Sequence, residues 1–311
     1  MLYPEVRMIA AVGESLIDIA QDRSFIGGCP FNTASAASRL GAAVSFFGRI
    51  SSDEYGHRIM ERMIDDGVIF DPQLCNSPYP TLCSKAVIDG AGNVTYEFDY
   101  RKTAACEFTV DELSRSFSNE GDIDIVFLGS ISLLMEPGCR AIVPAIGSID
   151  TKPELFLDPN VRPALVKDPS SYRKMILDLV RRCSIVRVSE DDIRFLFPDL
   201  SVGDAEKALL GMCPANLIIT RGDRGSSWFT KAFRIDCPPY KVEKVADTIG
   251  CGDTFNGAVL AYLQEHGLVR SLDALDRAAV SDMLSFASKA SGLNCLADGC
   301  EPPLRSAVDK L

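Results

Sequence analysis

Short apolar runs alternate with segments of helical periodicity along most of this chain. The runs at 8–12, 44–48, 123–128, 155–157, 185–188 and 217–220 have the length and apolar character of buried strands. A helical pattern follows each of them. Such repeated alternation predicts an α/β fold, in which a mostly parallel sheet carries helices on both faces. In a sheet of this kind, binding sites gather at the carboxyl ends of the strands.

The helical segments carry their own start and stop signals. An Ala-rich helix is predicted at about 32–40, ending before Gly41, and a second at 53–66, ending before Gly67. The apolar face of the second helix is formed by Ile59, Met60, Met63 and Ile64. Apolar side chains at this spacing share one side of a helix, so the pattern is typical of a helix packed on a core.

Residues 81–100 break the alternation. Two β-rich runs there are joined by the turn-forming segment 89–93, and no helical pattern is attached, which predicts a hairpin. Two further short strands are predicted within 17–26. A small antiparallel sheet outside the α/β body would make a natural lid over a cleft. We therefore predict one domain, residues 1–311, with a β lid formed by about 17–26 and 80–101.

Composition and charge narrow the class of protein. The net charge of −11 argues against a nucleic-acid or anionic-membrane surface, because both require basic patches. The apolar runs are too short for a membrane span, and the amino terminus does not resemble a signal peptide. The eleven cysteines are scattered, odd in number and without a Cys-x-x-Cys pair, which favours reduced thiols in a cytoplasmic protein.

The segment 247–256 is the most informative of the chain. Gly250 and Gly252 lie one residue apart, Asp253 follows, and an apolar helical pattern then begins. A glycine turn that opens a helix presents free backbone N–H groups and the positive end of the helix dipole, which together bind an anion. A carboxylate in that turn is explained if it takes a proton from a group that attacks a bound phosphate, as in a kinase. The alternative is an ordinary glycine turn before a helix.

Two earlier motifs suit a small polyol. The segment 27–32, Gly-Gly-Cys-Pro-Phe-Asn, opens the Ala-rich helix; its paired glycines permit close approach of a ligand, and Asn32 offers both a donor and an acceptor. In the segment 13–18 a strand ends at a glycine, and Asp18 could accept two sugar hydroxyl groups. The alternatives are a plain helix start and a solvated surface carboxylate.

Two later motifs follow predicted strands. In the segment 158–162, Asp-Pro-Asn-Val-Arg, Arg162 could clamp a phosphate and Asn160 could support it, although a capped turn with a surface arginine fits equally. In the segment 220–225, two glycines three residues apart leave room for a nucleotide. A tight connection to a strand at 226–229 would also need glycines.

In this order the five motifs resemble the ribokinase-like family of sugar kinases, and most of all the bacterial fructokinases. The resemblance covers nearly the whole chain and includes the segments 129–133 and 299–303. It implies a three-layer α/β/α sandwich with a small β-sheet lid. It also implies ATP-dependent transfer of the γ-phosphoryl group to a primary hydroxyl of a small sugar, with fructose favoured.

The resemblance assigns roles to individual residues. Asp253 would be the general base, the amides of Gly250, Cys251 and Gly252 the anion hole, and Arg162 a phosphate contact. The sugar would be held by Asp18, Gly27, Gly28, Asn32 and, from the lid, Arg101. ATP would be held by Asn160, Ser189, Thr220, Gly222, Gly225 and Asn294, the last near the adenine. Asp192 would organise Mg²⁺ through water, and Asp247 would belong to a loop that binds a monovalent cation such as K⁺.

The chain departs from the family at three points. Ser189-Glu-Asp-Asp192 stands where the family has Asn-x-x-Glu, which shortens the reach of the acid by one methylene. Cys251 replaces the usual alanine, where the backbone N–H matters more than the side chain. Only eight residues separate Asp18 from Gly27, so this lid is smaller than in many relatives, and a homodimer stays open.

Other functions stay open beside fructokinase. A 2-keto-3-deoxygluconate kinase, or another sugar or nucleoside kinase of the family, shares the anion hole, and the first of these also shares the lid arginine. A regulator that binds a sugar or nucleotide without catalysis is the non-enzyme alternative, although the retained Asp253 and glycines weigh against it. A nicotinamide oxidoreductase fits less well, because Phe255 stands where the third glycine of the dinucleotide fingerprint belongs.

Overall fold

A nine-stranded sheet forms the centre of the molecule. The protein is described from a computed structural model, which covers residues 7–20, 23–88, 94–213 and 216–311. The strand order is β13-β12-β11-β10-β9-β8-β1-β4-β5, and neighbouring strands are parallel from β5 to β11. The strands are β1 Met8–Val12, β4 Val44–Phe47, β5 Ile69–Phe70, β8 Ile123–Gly129, β9 Glu154–Asp158, β10 Ile185–Ser189, β11 Asn216–Thr220, β12 Ser226–Phe229 and β13 Arg234–Cys237.

Helices cover both faces of this sheet. The helices are α1 Cys29–Arg39, α2 Glu54–Asp66, α3 Val110–Asn119, α4 Cys139–Gly147, α5 Pro169–Val180, α6 Glu190–Leu196, α7 Val202–Met212, α8 Cys251–Glu265, α9 Arg277–Asn294 and α10 Arg305–Val308. Side chains alternate along β1, so Ile9 packs in the core with α1, α2, α8 and α9, whereas Ala10 packs in the core with α3, α4, α5 and α7. No helix of the described residues is long and apolar enough to cross a membrane.

A separate four-stranded sheet lies outside this body. Its order is β3-β2-β6-β7, from β2 Leu16–Ala20, β3 Arg23–Gly27, β6 Cys83–Ile88 and β7 Val94–Phe98. The expected hairpin and its two short partner strands are thus confirmed, although β2 and β6 run parallel. Leu16 packs with Leu82, Ala105 and Ile131 in a third apolar cluster. The predicted turn at 89–93 lies outside the described residues.

The predicted α/β class with a mostly parallel sheet is confirmed, and two of the differences from the predicted elements have a clear physical reason. Strand β11 is followed by the 3-10 turn Gly222–Arg224 and the antiparallel β12, so the helix expected after 217–220 was wrong. Gly225 enables this reversal, because its φ is 84° and a Cβ there would overlap Cys237 O. Helix α1 begins at Cys29 rather than near 32, since Pro30 is accommodated in its first turn.

The parallel order brings the sequence motifs to one edge of the sheet. Strands β1, β8, β9, β10 and β11 all end at this edge, the last three at Asp158, Ser189 and Thr220. The loops that follow them therefore surround a common space, as in other open parallel sheets.

Candidate active site

The first turn of α8 is the centre of the candidate site. The helix begins after Gly250, whose φ is 74°, and no side chain of the described residues caps it. An uncapped helix start leaves backbone N–H groups for an anion. The N–H of Cys251 lies 3.3 Å from Thr248 O, so this donor is shared with the turn itself. Asp253 lies in the same turn and is 7% exposed.

The loop that opens α1 reaches this turn. Asn32 Nδ2 donates a hydrogen bond to Asp253 Oδ2 over 2.8 Å, and both side chains are buried. Gly28 caps α1 with a φ of 107°, and a Cβ there would lie 2.5 Å from Glu14 O. Only glycine fits this close backbone approach. The loop is thereby held where Asn32 can orient the carboxylate of Asp253.

Asp18 faces the same space from the small sheet. Burial raises the pKa of this carboxyl, while a hydrogen bond from Ser84 and the charge of Arg162 lower it and the charge of Asp253 raises it. The charges of Arg162 and Asp253 therefore both reach Asp18, which places these three side chains around the same space. A Cβ at Gly27 would approach Asp18 Oδ2 to 2.6 Å, so this glycine leaves room for the carboxylate.

Arg162 lies on the exposed loop after β9. Its guanidinium donates to Asn160 Oδ1, and Asn160 has a φ of 39°. The N–H of Asn160 in turn donates to Asp158 Oδ1 over 3.1 Å. The two predicted residues are thus joined by a hydrogen bond, and the exposed guanidinium of Arg162 lies at the open side of the site.

A buried ion pair, not anticipated from the sequence, lies beneath the turn. Arg187 Nη1 donates to Asp158 Oδ2 over 2.9 Å, and Arg187 Nη2 donates to Thr220 Oγ1 over 2.6 Å. Asn256 Nδ2 donates to the same Asp158 oxygen over 2.7 Å. A Cβ at Gly252 would lie 3.0 Å from Arg187 Nη2, so the guanidinium lies directly against this turn.

Burial and neighbouring charges shift the pKa values of both members of this pair. Burial raises the pKa of Asp158 to about 6, against the lowering effect of Arg187. Burial would lower the pKa of Arg187, but the charges of Asp158 and Asp192 reverse this, so its pKa is raised. The sequence carried one signal: an arginine within an apolar strand must be paired if it is buried.

Glu14 is a second residue that sequence reasoning missed. It is 1% exposed and accepts hydrogen bonds from Cys29 N over 3.2 Å and Ser132 N over 3.1 Å, and a further one from Ser132 Oγ. Burial raises its pKa to about 7, while these hydrogen bonds lower it. Glu14 therefore ties the start of α1 to the turn after β8. Nothing in the local pattern distinguished it from other loop acids.

Most of the predicted nucleotide residues line the edge beside β11. Thr220 is engaged by Arg187, and Gly222 has a φ of 58° with no described atom within 4 Å of its Cβ position. The turn to β12 requires glycine at position 225 whether or not a nucleotide binds there. Ser189 caps α6 by accepting a hydrogen bond from Asp192 N over 3.1 Å. A nucleotide contact by each of these four stays a prediction.

Asn294 is placed differently from the expectation of an adenine contact. It has no exposed surface, and its Nδ2 donates to Ile249 O over 2.8 Å. Its Oδ1 accepts from Glu301 N over 2.9 Å and from Thr254 Oγ1 over 3.2 Å. The geometry supports a bracing role for Asn294, which ties α9 to the loop before Gly250.

The carboxylates of the two residues predicted to act at metal sites both accept hydrogen bonds from the backbone. Asp192 is 4% exposed and accepts from Val161 N over 2.7 Å and from Ser189 N over 2.8 Å. Asp247 accepts from Thr248 N over 2.6 Å and from Gly299 N over 3.0 Å. Each of these carboxylates therefore already accepts backbone hydrogen bonds on both of its sides, and only the partly exposed Asp247 is open to solvent.

No three His, Cys, Asp or Glu side chains of the described residues gather as metal ligands. A divalent ion would therefore be held mainly by nucleotide phosphates and water, as Mg²⁺ commonly is. Such binding is compatible with the water-mediated role predicted for Asp192, which stays a prediction.

Arg101 is not brought together with the other sugar residues. Its side chain is 73% exposed beyond the end of β7, and its Nε donates to Asp99 Oδ1 over 2.8 Å. The contact with Asp99 raises the pKa of Arg101. A substrate contact by Arg101 stays a prediction that would require this side chain to turn inward.

Comparison with known proteins gives a consistent result. The family model described as pfkB family carbohydrate kinase matches residues 5–307. The chain is 30% identical over 285 residues to the fructokinase of Rhizobium leguminosarum bv. trifolii, with 88% of this chain and 85% of that protein covered. It is 29% identical over 320 residues to the probable fructokinase-5 of Arabidopsis thaliana, with 97% and 95% covered.

Solved structures share the fold. The fructokinase of Vibrio cholerae O395, in its fructose, ADP and calcium ion bound form, matches with a TM-score of 0.81 and 21% identity over 98% of both chains. The aminoimidazole riboside kinase of Salmonella enterica, complexed with aminoimidazole riboside and an ATP analog, matches with a TM-score of 0.82 and 19% identity over 98% of this chain and 99% of that one. Since the family model spans nearly the whole chain, this protein belongs to the pfkB family of carbohydrate kinases.

Proposed function

We propose that this carbohydrate kinase transfers the γ-phosphoryl group of ATP to a primary hydroxyl of fructose, with Asp253 as the general base. The observation that carries the proposal is the 2.8 Å hydrogen bond from Asn32 to Asp253. It joins a loop suited to a polyol to a carboxylate at the start of an uncapped helix. A hydroxyl bound beside Asn32 would lie within reach of the base and of a phosphate at the helix start.

The proposed division of labour follows from charge. Asp253 takes the proton of the attacking hydroxyl as the new O–P bond forms. The backbone N–H groups at 250–252 and the dipole of α8 stabilise the charge that spreads over the transferring group. Arg162 adds an exposed cation on the open side, and Arg187 adds a buried one against Gly252.

ATP is proposed to lie along the loop from Thr220 to Gly225. The open space around Gly222 supports this proposal. Mg²⁺ is proposed to arrive with the nucleotide and, when bound, to neutralise charge on its phosphates. A monovalent cation beside Asp247 stays part of the proposal, and replacing K⁺ by Na⁺ in the assay tests it.

The charges around the sugar side favour a neutral acceptor. Asp18 and Asp253 both face this space, and the pKa of Asp18 is already raised by burial and by the charge of Asp253. Among the described residues, Arg162 is the one cation that acts on Asp18 there, against two carboxylates, so the carboxylate of 2-keto-3-deoxygluconate would meet net repulsion unless Arg101 moved in as a second cation. Fructose therefore ranks first among the sugars, and the names of the two curated relatives support the same choice.

An ATP-dependent kinase screen tests the proposal. ADP release is measured with fructose, tagatose, ribose, glucose, 2-keto-3-deoxygluconate and a nucleoside, and the values of kcat/KM are ranked. Fructose is expected to rank first, with the phosphate on a primary hydroxyl of the product by NMR. A higher kcat/KM for 2-keto-3-deoxygluconate or a nucleoside would replace fructose. If a sugar stabilised the protein against unfolding but no acceptor led to ADP release from ATP, the result would instead favour a regulator without catalysis.

A further inference from the structure

Two thiols meet at the base of the anion turn, which we define as residues 247–252. Cys251 Sγ lies 2.9 Å from Cys295 Sγ, although the two residues are 44 positions apart in the chain. Cys251 is the first residue of α8, and Cys295 caps the carboxyl end of α9. Both residues are partly exposed.

Hydrogen bonds on both sides hold the two sulfur atoms face to face. Ser291 Oγ donates to Cys251 O over 2.9 Å, and Ala246 N donates to Cys295 O over 2.8 Å. Asn294 Nδ2 donates to Ile249 O over 2.8 Å. The end of α9 therefore braces two residues of the anion turn and the residue before it, so the backbone on both sides of the thiol contact is held in place.

We propose that Cys251 and Cys295 form an oxidisable dithiol site that takes a small-molecule disulfide as its oxidant, and that the resulting protein disulfide suppresses phosphoryl transfer. A disulfide requires an S–S distance of about 2.05 Å, so the sulfur atoms need to approach by less than about 1 Å. Cys300 also lies near this turn, but it is buried and offers no entry for a reagent.

The exchange is balanced in two steps. The Cys295 thiolate attacks one sulfur of the small disulfide, and a small thiolate leaves as a mixed disulfide forms. The Cys251 thiolate then attacks Cys295 Sγ, which forms the protein disulfide and releases the second small thiol. Two electrons pass to the small disulfide, and the two thiol protons end on the two small thiols.

The order of the steps follows from the environment of Cys251. Burial and the contact with Cys295 raise the pKa of Cys251. A thiol with a raised pKa attacks an external reagent slowly, so we assign the first attack to Cys295 and the second to Cys251. The second step is intramolecular, and the closeness of the two sulfur atoms offsets the low thiolate fraction of Cys251.

The loss of activity rests on the proposed anion hole, whereas formation of the disulfide does not. Drawing Cys251 Sγ toward α9 shifts the first turn of α8, which contains Asp253 and the amides at 250–252. A misplacement of about 1 Å in catalytic groups costs up to about 100-fold in rate. We therefore expect the oxidised enzyme to lose roughly 10- to 100-fold in kcat.

The experiment uses the full chain with glutathione disulfide as the oxidant. Samples are assayed for kinase activity and digested without reduction, and the peptides are identified by mass spectrometry. We expect a Cys251–Cys295 cross-linked peptide that appears in step with the loss of kcat, and recovery of both on reduction. Cys295→Ser is expected to keep its activity under oxidation, and Cys251→Ala to form no cross-link. Cys139→Ser, which removes another partly exposed thiol in α4, is the matched control and should be inactivated like the wild type.

Two results would overturn the proposal. One is the absence of the cross-linked peptide from oxidised wild type, and the other is equal inactivation of Cys295→Ser and wild type. A cross-linked enzyme with full kcat would overturn the proposed suppression of phosphoryl transfer. Activity of the reduced wild type toward sugars tests the proposed function separately.

Discussion

Asn32 Nδ2 lies 2.8 Å from Asp253 Oδ2, across 221 positions of sequence, and joins the first turn of α1 to the first turn of α8. The two helices pack on the same face of the sheet, and a Cβ at Gly257 of α8 would approach Ala36 of α1 to 2.5 Å. This close packing brings the loop suited to the sugar and the turn suited to the phosphate into one site.

Removal of the carboxylate is the most direct test of this site. Asp253→Asn keeps the shape of the side chain but cannot accept the proton, so kcat should fall at least about 100-fold. Binding of a non-hydrolysable ATP analogue, measured by calorimetry, should change little. Asp282→Asn, an exposed residue of α9, is the matched control and should keep wild-type kcat. A variant that retains more than about one hundredth of kcat would rule out Asp253 as the base.

The hydrogen bond itself can be removed without touching the base. Asn32→Ala removes the hydrogen bond that orients the carboxylate of Asp253, and misplacement of a catalytic group should lower kcat/KM by up to about 100-fold. Asn119→Ala at the exposed end of α3 is the control. In a double-mutant cycle, Asn32→Ala should lower kcat/KM by a much smaller factor when Asp253 has already been replaced by asparagine. Equal costs in both backgrounds would show that Asn32 acts independently of Asp253.

The buried carboxyl of Glu14 predicts a pH dependence of stability. Its pKa is raised to about 7 in the folded protein, from the ordinary value of 4.5 for a glutamate side chain, so the folded state binds more protons between these values. Its contribution to stability is fully present below pH 4.5 and is lost as the pH rises to about 7, by up to about 3 kcal/mol.

Urea unfolding of the wild type and Glu14→Gln across pH 5 to 8 measures this dependence, because the glutamine cannot titrate. The free-energy difference between the two proteins should shift in favour of Glu14→Gln as the pH rises. Glu243→Gln, on an exposed loop, should show a constant difference from wild type. A constant difference for Glu14→Gln as well would contradict the raised pKa.

The buried ion pair predicts a large cost for losing one partner. Arg187→Ala leaves the carboxylate of Asp158, which has no exposed surface, without its cation, and should reduce the free energy of unfolding by about 3–5 kcal/mol. The exposed pair of Arg181 and Asp178 provides the matched control, and Arg181→Ala should cost less than about 1 kcal/mol. Similar costs for the two substitutions, measured by urea unfolding, would contradict a buried pair.

The anion turn requires glycine at position 250. Gly250 has a φ of 74°, and a Cβ there would overlap Cys300 Sγ, so Gly250→Ala should distort the turn and lower kcat/KM by more than about 10-fold. Gly211→Ala in α7 is the control, because no described atom lies within 4 Å of its Cβ position. It should keep full activity and unfold at the same or a higher urea concentration.

Local patterns were sufficient for the elements and the outline of the site. The apolar runs predicted the strands because a buried parallel strand is apolar on both faces, and Gly67 ends α2 in the left-handed conformation that glycine favours. They were insufficient at β11, where a glycine turn and a reversed strand replaced the expected helix. They also did not reveal that Asp192 and Asn294 are engaged by backbone groups of neighbouring loops.

The sequence by itself determined most of the strands and helices up to β11, the glycine turn at 250–252 and the acid that follows it, because these depend on periodicity and on glycine at fixed positions. Only the tertiary structure decided which distant side chains meet. The pairing of Arg187 with Asp158, and the contact between Cys251 and Cys295, arise from the strand order and from the packing of α8 against α9. Such contacts depend on the whole sheet and its helices, so no local segment encodes them.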